Sequence, residues 1–324
     1  MKGGVRGLVA DVGGTNARFA LVDEGGHIRF PKTYACHDYS SLAEIIQEYL
    51  DTTAGKRRPA RAALAVAGPV VDGEIQFTNL EWGVSETDLV IAFEFEAVSL
   101  INDFEAQALA APRLAPEDLR QIGPSLKGAS DRPIVVLGAG TGFGVAALAR
   151  KSNTEVTVAT EAGHAAFAPY DGTEVEIWRR LKAKYGRVSV ERVLSGQGLY
   201  DLYCAMADID CVAAELPDEK AITTAGQNGD PLASAALDRF CAILGSVAGD
   251  LALTYGARGG VYVSGGIAPR LLDRLASGSF RGRFEDKGRL TDYVRDIPTY
   301  VMMHPYSALV GAARELEQLE RGGF

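Results

Sequence analysis

The sequence predicts an α/β protein made of two related lobes. Apolar runs of strand length alternate with stretches of helical period along the 324 residues, and this succession is typical of an α/β fold. A strand, glycine turn and strand near the N-terminus recur when Gly14-Thr15 is laid on Gly140-Thr141, an offset of 126 residues. A chain of this length suggests two domains, although a single large α/β domain would also account for it.

Each copy of the recurring pattern is a predicted β-hairpin. In the first copy, LVA at 8–10 and ARFALV at 17–22 flank Asp11 and the turn VGGTN. In the second copy, apolar residues 134–137 and 145–148 flank GAGTGFG at 138–144. Glycine and asparagine accept the positive φ angles that tight hairpin turns require. The match supports an internal duplication, with two lobes that face each other.

Two further strands and one helix are predicted between the copies. Residues 62–67, AALAVA, form a short apolar run that Gly68-Pro69 ends. Residues 98–101 form another, and a stretch of helical character over 104–111 follows at once. This order of strand, strand and helix agrees with the α/β class.

The second half contains clearer helix signals. Residues 174–185 are amphipathic and stop at Gly186, a natural C-cap. Asp230-Pro231 is an N-cap followed by proline at the first helical position, and it predicts a long helix to about Tyr255. Residues 261–267, VYVSGGI, predict a buried strand broken by two glycines. The last predicted helix covers about 306–319, with Gly311-Ala312-Ala313 as a small face for close packing.

Composition and charge exclude several classes of protein. The chain is 47% hydrophobic and 23% charged, as ordinary soluble proteins are. Its formal charge is −9, and the longest basic run is Lys56-Arg57-Arg58, so nucleic acid is not expected as a partner.

The sequence also indicates the cellular compartment. The four cysteines are far apart, without a C-x-x-C pair, and are expected to be reduced thiols. The N-terminus has no apolar core of a signal peptide, which favours a cytoplasmic protein. Residues 133–149 carry no charge, but their length is at the lower limit for a membrane-spanning helix, and the alternate glycines would weaken such a helix badly.

The glycine turns at 13–16 and 138–144 are candidate phosphate sites, because successive amides of a glycine turn can converge on an anion. Alternatively, they are hairpin turns that need positive φ angles. The presence of two matched turns, with Gly265-Gly266 after a third strand, favours phosphate binding. Neither common nucleotide fingerprint fits: G-x-G-x-x-G would need glycine at Phe143, and Gly55-Lys56 is followed by arginine.

Two aspartates follow predicted strands. Asp11 could hold Mg²⁺ through water, since Mg²⁺ keeps several waters and uses few carboxylates, or it could bond the amides of the turn. Asp103, in the pair Asn102-Asp103, could be a helix cap or a general base at the carboxyl end of a strand, where open α/β sheets place ligands. The helix dipole is expected to keep Asp103 ionised, as a proton acceptor but not a strong base.

A third candidate set could bind a polyol. Glu161 and His164 lie three residues apart among small neighbours, and the second E-x-x-H copy of a di-metal site is absent. Glu191 is either part of the same set or a first-turn acid of a helix. Several acids, an asparagine and a histidine together offer the donors and acceptors that sugar hydroxyls need.

In this order the segments resemble the bacterial glucokinase family, within the superfamily of sugar kinases, actin and heat-shock ATPases. The resemblance is carried by DVGGTNARFAL, AVAGPV, FTNLEW, LINDFEAQALA, LGAGTGFGVA, EAGHAAFAP, VERVLSGQGLY and VSGGI. It implies a two-lobed actin-like ATPase fold, of ribonuclease H-like type, with a duplicated core and an active site in the interdomain cleft. The small domain would be 1–110 with the C-terminal helix 305–324 returning to it, and the large domain 111–304.

The resemblance also implies which residues bind the ligands. Those for ATP and Mg²⁺ would be Asp11, Gly13, Gly14, Thr15, Asn16, Gly138, Gly140, Thr141, Gly142, Gly265 and Gly266. Those for glucose would be Asn79, Asn102, Asp103, Glu161, His164 and Glu191. Asp103 would take the proton from the 6-hydroxyl, and Asp11 would hold Mg²⁺ through water.

The implied activity is transfer of the γ-phosphate of ATP to the 6-hydroxyl of D-glucose, a glycolytic step, by a cytoplasmic homodimer. Alternatives are a kinase for another hexose or another phosphodonor, and a non-catalytic sugar sensor. A related group of repressors and kinases has a cysteine-rich zinc loop after its E-x-G-H motif. Here no cysteine lies between Cys36 and Cys204, so neither a structural zinc nor a DNA-binding arm is expected.

Overall fold

The computed structural model describes residues 5–55, 58–77, 80–152 and 154–322. The chain divides into two compact units. The first unit runs to Leu114 and resumes at His304, and the second unit is Ala115–Met303. Asn79, predicted at the edge of the sugar pocket, lies outside the described residues.

The strands of the described chain are β1 (Val5–Val12), β2 (Asn16–Asp23), β3 (Ile28–Ala35), β4 (Arg61–Val66), β5 (Glu74–Gln76), β6 (Gly83–Ser85), β7 (Ala97–Asn102), β8 (Leu119–Ile122), β9 (Ile134–Ala139), β10 (Phe143–Lys151), β11 (Thr154–Thr160), β12 (Gly260–Ser264) and β13 (Thr299–Met302). The α-helices are α1 (Leu42–Tyr49), α2 (Glu86–Phe93), α3 (Asp103–Ala110), α4 (Gly172–Tyr185), α5 (Gly196–Ile209), α6 (Glu219–Gln227), α7 (Pro231–Tyr255), α8 (Leu272–Ser277), α9 (Phe280–Glu285), α10 (Thr291–Arg295) and α11 (Ser307–Glu320). A π-helical turn, Leu50–Ala54, extends α1. The 3-10 turns are Cys36–Asp38, Ala111–Arg113, Pro116–Asp118, Ala162–His164, Val190–Arg192, Ala268–Leu271 and Gly288–Leu290. The chain is thus of mixed α/β class, as predicted.

Each unit is built on one main sheet. The five strands of the first unit lie in the order β3-β2-β1-β4-β7, and the six of the second in the order β11-β10-β9-β12-β13-β8. In both sheets the first three strands are antiparallel neighbours, while the third, fourth and fifth are parallel. β8 adds an antiparallel edge strand to the second sheet, and β5 and β6 form a separate hairpin.

The two sheets also share the register of their central parallel pair. Leu8 lies opposite Ala62 in the first sheet, and Ile134 lies opposite Gly260 in the second. The hairpin registers differ by one residue, because Val12 pairs with Ala17 whereas Gly138 pairs with Gly144. The offset of 126 therefore matches the strands before the turns, whereas the strands after them match at an offset of 127, since Gly144 takes the place of Ala17.

Capping residues identified in the sequence correctly predict where α7 begins and where α4 ends. Asp230 caps α7 by accepting the N–H of Ala233 at 2.8 Å, and α4 ends at Gly186, whose φ is 73°. Burial explains the length and apolar character of α7: alanines, leucines and Phe240 of this helix lie in the core of the second unit. Among the described helices, α7 alone is long and apolar enough to cross a membrane, and most of it is buried within its own unit.

The terminal helix α11 packs on α3 and on β1 in the first unit, with Leu309, Ala312 and Leu316 in the core. A β-carbon on Gly311 would collide with the carbonyl oxygen of Ala106 in α3. The small face predicted at 311–313 is therefore a site of close helix packing. This contact supports α3, whose first residue is Asp103.

Candidate active site

In the first unit, the two candidate aspartates lie at one edge of the sheet. β1, β4 and β7 run parallel, so their carboxyl ends meet at that edge. Asp11 is the penultimate residue of β1, and Asp103 directly follows β7 as the first residue of α3. This is the edge at which open α/β sheets bind ligands.

Asn102 holds this edge together. It caps α3: its Oδ1 accepts the N–H of Phe104 at 2.9 Å, and the Glu105 carboxylate accepts the Asn102 N–H at 3.1 Å. Its Nδ2 donates to the carbonyl oxygen of Gly68 at 3.1 Å, on the segment after β4. The side chain of Asn102 thus fixes both the start of α3 and the neighbouring loop.

Asp103 is more basic than the sequence predicted. Burial, and after it the negative charge of Asp11, raises the pKa of Asp103 to about 7, although the N–H of Phe104 donates to its Oδ1 at 2.9 Å. The expectation that the helix dipole keeps Asp103 ionised as a weak base was wrong, because burial and a like charge outweigh a dipole and one amide. A carboxylate with a pKa near neutrality is well matched to general-base catalysis.

Arg18 is a site residue that the sequence analysis missed. Its Nη1 lies 3.0 Å from Oδ2 of Asp11, and the Asp11 side chain is 21% exposed. Burial raises the pKa of Asp11, and the charge and hydrogen bond of Arg18 oppose that increase. Asp11 pairs with Arg18 across the hairpin, so the alternation of the predicted strands was the signal that could have identified it.

The first turn, residues 13–16, is held by its carbonyl groups. The N–H of Gly13 donates to the carbonyl of Asn16 at 3.0 Å, and the N–H of Cys36 donates to the carbonyl of Thr15 at 2.9 Å. The Cys36 thiol donates to the carbonyl of Gly13 at 3.4 Å. Thr15 is exposed at the tip, and Gly14 precedes it. The turn is thus preorganised within the first unit, with Cys36 as a second residue that the sequence analysis missed.

In the second unit, the predicted phosphate glycines divide into two groups. Gly138 and Gly265 are required by packing: a β-carbon on Gly138 would collide with the backbone of Ser264, and one on Gly265 would collide with that of Ala139. Gly265 also has a φ of +86°. A β-carbon on Gly140 or Gly266 would have no neighbour within 4 Å. The protein itself does not require glycine at those two positions, which leaves room for a ligand.

The second turn is residues 140–142, between β9 and β10. The N–H of Gly140 donates to the carbonyl of Gly142 at 2.9 Å, and the carbonyl of Gly140 accepts the N–H of Gly196 at 2.9 Å. Thr141 is exposed at its tip. The N–H of Phe143, directly after the turn, donates to Oε2 of Glu191 at 2.9 Å.

The three predicted sugar ligands of the second unit lie around Phe143. Glu161 precedes the 3-10 turn 162–164, and its Oε2 is 3.8 Å from Nε2 of His164; both side chains are largely exposed. A β-carbon on Gly163, between them, would collide with the carbonyl of Phe143. Since Glu191 accepts the N–H of the same residue, the E-x-G-H motif and Glu191 contact one peptide segment. The exposed pair of Glu161 and His164 offers a donor and acceptors to a ligand.

Within the described residues, no group of three or more His, Cys, Asp or Glu side chains is arranged to hold a metal ion. The four cysteines, all of them described, are free thiols, and Cys36 and Cys241 are buried. Any divalent cation at this site would therefore rely on few carboxylates and on groups supplied by a ligand.

Comparison with known proteins places this geometry in a class. The glucokinase family profile matches residues 8–319. A glucokinase of Caulobacter sp. (strain K31) is 51% identical over 310 residues, which cover 95% of this chain and 94% of the relative. The crystal structure of a glucokinase from an Antarctic psychrotroph is 38% identical with a TM-score of 0.87, covering 96% of this chain and 98% of that one. A ROK family glucokinase from Streptomyces griseus, solved with glucose and AMPPNP, shares the fold at a TM-score of 0.66 and 19% identity, over 96% of this chain and 99% of that chain.

Each unit has a glycine turn, and a carboxylate with a raised pKa follows a strand of the first unit. These features define a sugar kinase, an enzyme that phosphorylates a sugar hydroxyl. The family match covers nearly the whole chain, and the Caulobacter relative shares half of its residues. The chain belongs to the glucokinase family.

Proposed function

We propose that the enzyme transfers the γ-phosphate of ATP to the 6-hydroxyl of D-glucose, with Asp103 as the general base. The observation that supports this most strongly is the position of Asp103, which directly follows β7 at the carboxyl edge of the parallel strands and begins α3. Burial and the charge of Asp11 also raise its pKa to about 7. Phosphoryl transfer needs only modest help from a base, late in the reaction, and a base is most effective when its pKa lies near the working pH. The proton of the 6-hydroxyl passes to a carboxylate oxygen of Asp103 as the oxygen attacks phosphorus.

Asn102 positions this base. Its side chain caps α3 and ties the start of that helix to Gly68, so the Asp103 carboxylate is presented from a fixed backbone. Positioning accounts for much of the catalysis of phosphoryl transfer. Asn102 would therefore serve the reaction by its helix cap, in addition to any bond to the sugar.

The two turns would bind the phosphates of ATP through backbone N–H groups. Gly140 and Gly266 support this assignment, since a β-carbon at either position would be free of protein contacts. Mg²⁺ would be held at Asp11, a carboxylate near the carboxyl end of β1 whose side chain is 21% exposed, and a divalent cation there would offset the negative charges of Asp11 and Asp103. It would supply charge neutralisation to the phosphates, and Asp11 alone suffices where water and phosphate oxygens complete its ligands.

Glu161, His164 and Glu191 would bind the sugar hydroxyls. The first two are exposed with their polar atoms 3.8 Å apart, and they offer the mixture of donors and acceptors that a polyol needs. By the family resemblance, Asn102, Asp103 and Asn79 would be further glucose ligands. The ROK family relative solved with glucose and AMPPNP has the same fold, which supports a sugar and a nucleotide as the two substrates.

We also propose that the two main sheets are copies of one ribonuclease H-like unit, as in actin-like ATPases. Their shared strand order, strand directions and central register support the duplication. The family resemblance further implies a cytoplasmic protein that forms a homodimer. Sedimentation equilibrium tests the homodimer directly.

A coupled assay over a panel of sugars and phosphodonors tests the proposed function. Glucose with ATP should have the highest kcat/KM, above mannose, fructose and N-acetylated hexosamines, and above polyphosphate as the donor. A higher kcat/KM for one of those would reassign the substrate. Sugar binding without turnover for any donor would instead indicate a non-catalytic sensor.

A further inference from the structure

Phe143 begins β10 directly after the second turn, and a side chain from 48 residues away binds its backbone N–H. That partner is Glu191, whose Oε2 lies 2.9 Å from the nitrogen. A hydrogen bond from an amide to a carboxylate is about twice as strong as one between neutral groups. The end of the second turn is therefore held by a charged side chain that is itself a proposed sugar ligand.

Gly142 makes room for this bond. A β-carbon built on Gly142 would lie 2.6 Å from Oε2 of Glu191, closer than the two atoms can approach. Any residue with a side chain at this position would therefore displace the carboxylate or the turn. One of the alternate glycines of the sequence thus admits Glu191, whereas Gly140 has no protein neighbour that requires it.

The segment that carries Glu191 contacts the second turn at both ends. The N–H of Gly196 donates to the carbonyl of Gly140 at 2.9 Å, while Glu191 binds Phe143. The same segment is tied to the E-x-G-H motif, since the N–H of Val190 donates to the carbonyl of Ala165 at 2.9 Å. A shift of Glu191 would consequently move the turn.

We propose that Glu191 is a positioning residue for the second turn and couples sugar binding to nucleotide binding. This inference rests on the proposed function. A carboxylate offers about four acceptor positions, so the bond from Phe143 leaves others for a sugar hydroxyl. A sugar bound to Glu191 fixes the carboxylate and thereby orders the amides of the turn for phosphate. Because binding linkage is reciprocal, the nucleotide must tighten sugar binding by the same factor.

The test measures nucleotide affinity in the absence of sugar, by calorimetric titration of the full chain with AMPPNP and Mg²⁺. Glu191→Ala removes the acceptor of the Phe143 N–H, and the Kd for AMPPNP should rise about tenfold, as loss of a charged hydrogen bond predicts. Glu161→Ala is the matched control, because Glu161 belongs to the same sugar set and its Oε2 lies 3.8 Å from Nε2 of His164. Its Kd for AMPPNP should stay within about twofold of the wild-type value.

A second measurement repeats the titration with saturating glucose. Glucose should lower the Kd for AMPPNP in the wild type and in Glu161→Ala, but not in Glu191→Ala. Glu191→Gln keeps an acceptor of the same shape and should restore most of the sugar-free affinity, which a general loss of structure would not permit. Gly142→Ala leaves Glu191 in place but puts a β-carbon against its carboxylate, so this variant should weaken AMPPNP binding as Glu191→Ala does.

Thermal melting of each ligand-free variant verifies that it is folded. If Glu191→Ala does not fold, the single variants Glu191→Gln and Gly142→Ala take its place in the test. Wild-type affinity for AMPPNP in Glu191→Ala, with the effect of glucose intact, would overturn this inference and leave the proposed function standing. A wild-type protein that binds neither glucose nor AMPPNP would overturn the proposed function itself.

Discussion

Asp103 shares the carboxyl edge of its sheet with Asp11, and the two carboxylates interact. Burial, and then the negative charge of Asp11, raises the pKa of Asp103 to about 7. Arg18 pairs with Asp11 at 3.0 Å, so part of the Asp11 charge is compensated within the same hairpin. Burial and the like charge of Asp11 thus keep the pKa of the proposed base near neutral pH.

Removal of this base should abolish most of the turnover. Asp103→Ala is expected to lower kcat at least ~100-fold, the lower end for loss of a general base, and to lower glucose affinity much less, by the roughly two- to tenfold that loss of one hydrogen bond predicts. Steady-state kinetics with both substrates, together with calorimetric glucose binding, measure the two effects separately. Near-normal turnover of this variant would exclude Asp103 as the base.

The pH profile should report the same group. The ionised form of Asp103 accepts the proton, so kcat/KM for glucose should fall below a pH near 7 when ATP is held below saturation. Asp11→Asn removes the like charge, which lowers the pKa of Asp103 and moves the acidic limb to lower pH even if the rate itself falls. An acidic limb that stays in place in Asp11→Asn would show that Asp11 does not act on the base.

Stability should depend on pH with a defined sign. The pKa of Asp103 in the folded chain is raised to about 7 from its ordinary value of 3.8, so below pH 4 both folded and unfolded chains hold the proton and no penalty exists. Between these values only the folded chain holds it, and the penalty grows until it is complete above pH 7. Asp103→Asn should therefore raise the free energy of unfolding at pH 8, by up to about 4 kcal/mol, and by much less at pH 5. Urea unfolding at the two pH values measures the difference, and an equal gain at both would contradict this linkage.

Much of the fold follows from local signals in the sequence. Asp230-Pro231 and Gly256 bound α7, and the alternation around the first turn places Asp11 and Arg18 on paired strands. The outer strands β3 and β11 were not predicted, because they are largely exposed. Edge strands of this kind owe their order to pairing with a neighbour rather than to apolar residues of their own.

The sequence predicted which residues belong to the candidate site, but it did not predict how they interact. Glu191 was assigned from its motif, whereas its bond to Phe143 joins residues 48 positions apart and depends on how the 3-10 turn Val190–Arg192 packs against the second turn. The raised pKa of Asp103 likewise depends on burial and on Asp11. Contacts between distant residues decide both properties, and a local pattern does not record them.

Gly140 and Gly138 should respond to substitution in different ways. A β-carbon on Gly140 would have no neighbour within 4 Å, so Gly140→Val should fold normally and raise the KM for ATP about tenfold or more, far beyond its effect on the KM for glucose. In the control Gly138→Ala, the β-carbon would collide with the backbone of Ser264, so the melting temperature should fall instead. Equal changes of both KM values in Gly140→Val would mean that the second turn connects two strands but does not bind ATP.

Gly311 and Gly282 provide a last pair of helix glycines with opposite expected outcomes. A β-carbon on Gly311 would collide with the carbonyl of Ala106, whereas one on Gly282 in α9 would have no neighbour within 4 Å. Gly311→Ala should separate α11 from α3 and lower the free energy of unfolding by about 1 to 3 kcal/mol, the usual cost of overpacking. Gly282→Ala should instead raise it by up to about 1 kcal/mol, because alanine favours the helix.

Chemical denaturation of both variants gives these free energies directly. Because α3 begins at Asp103, Gly311→Ala should also reduce kcat, while Gly282→Ala, in the other unit, should retain the wild-type kcat. A Gly311→Ala protein as stable and as active as the wild type would show that α11 can move away from α3 without disturbing the base. The close contact of the two helices would then have no part in positioning Asp103.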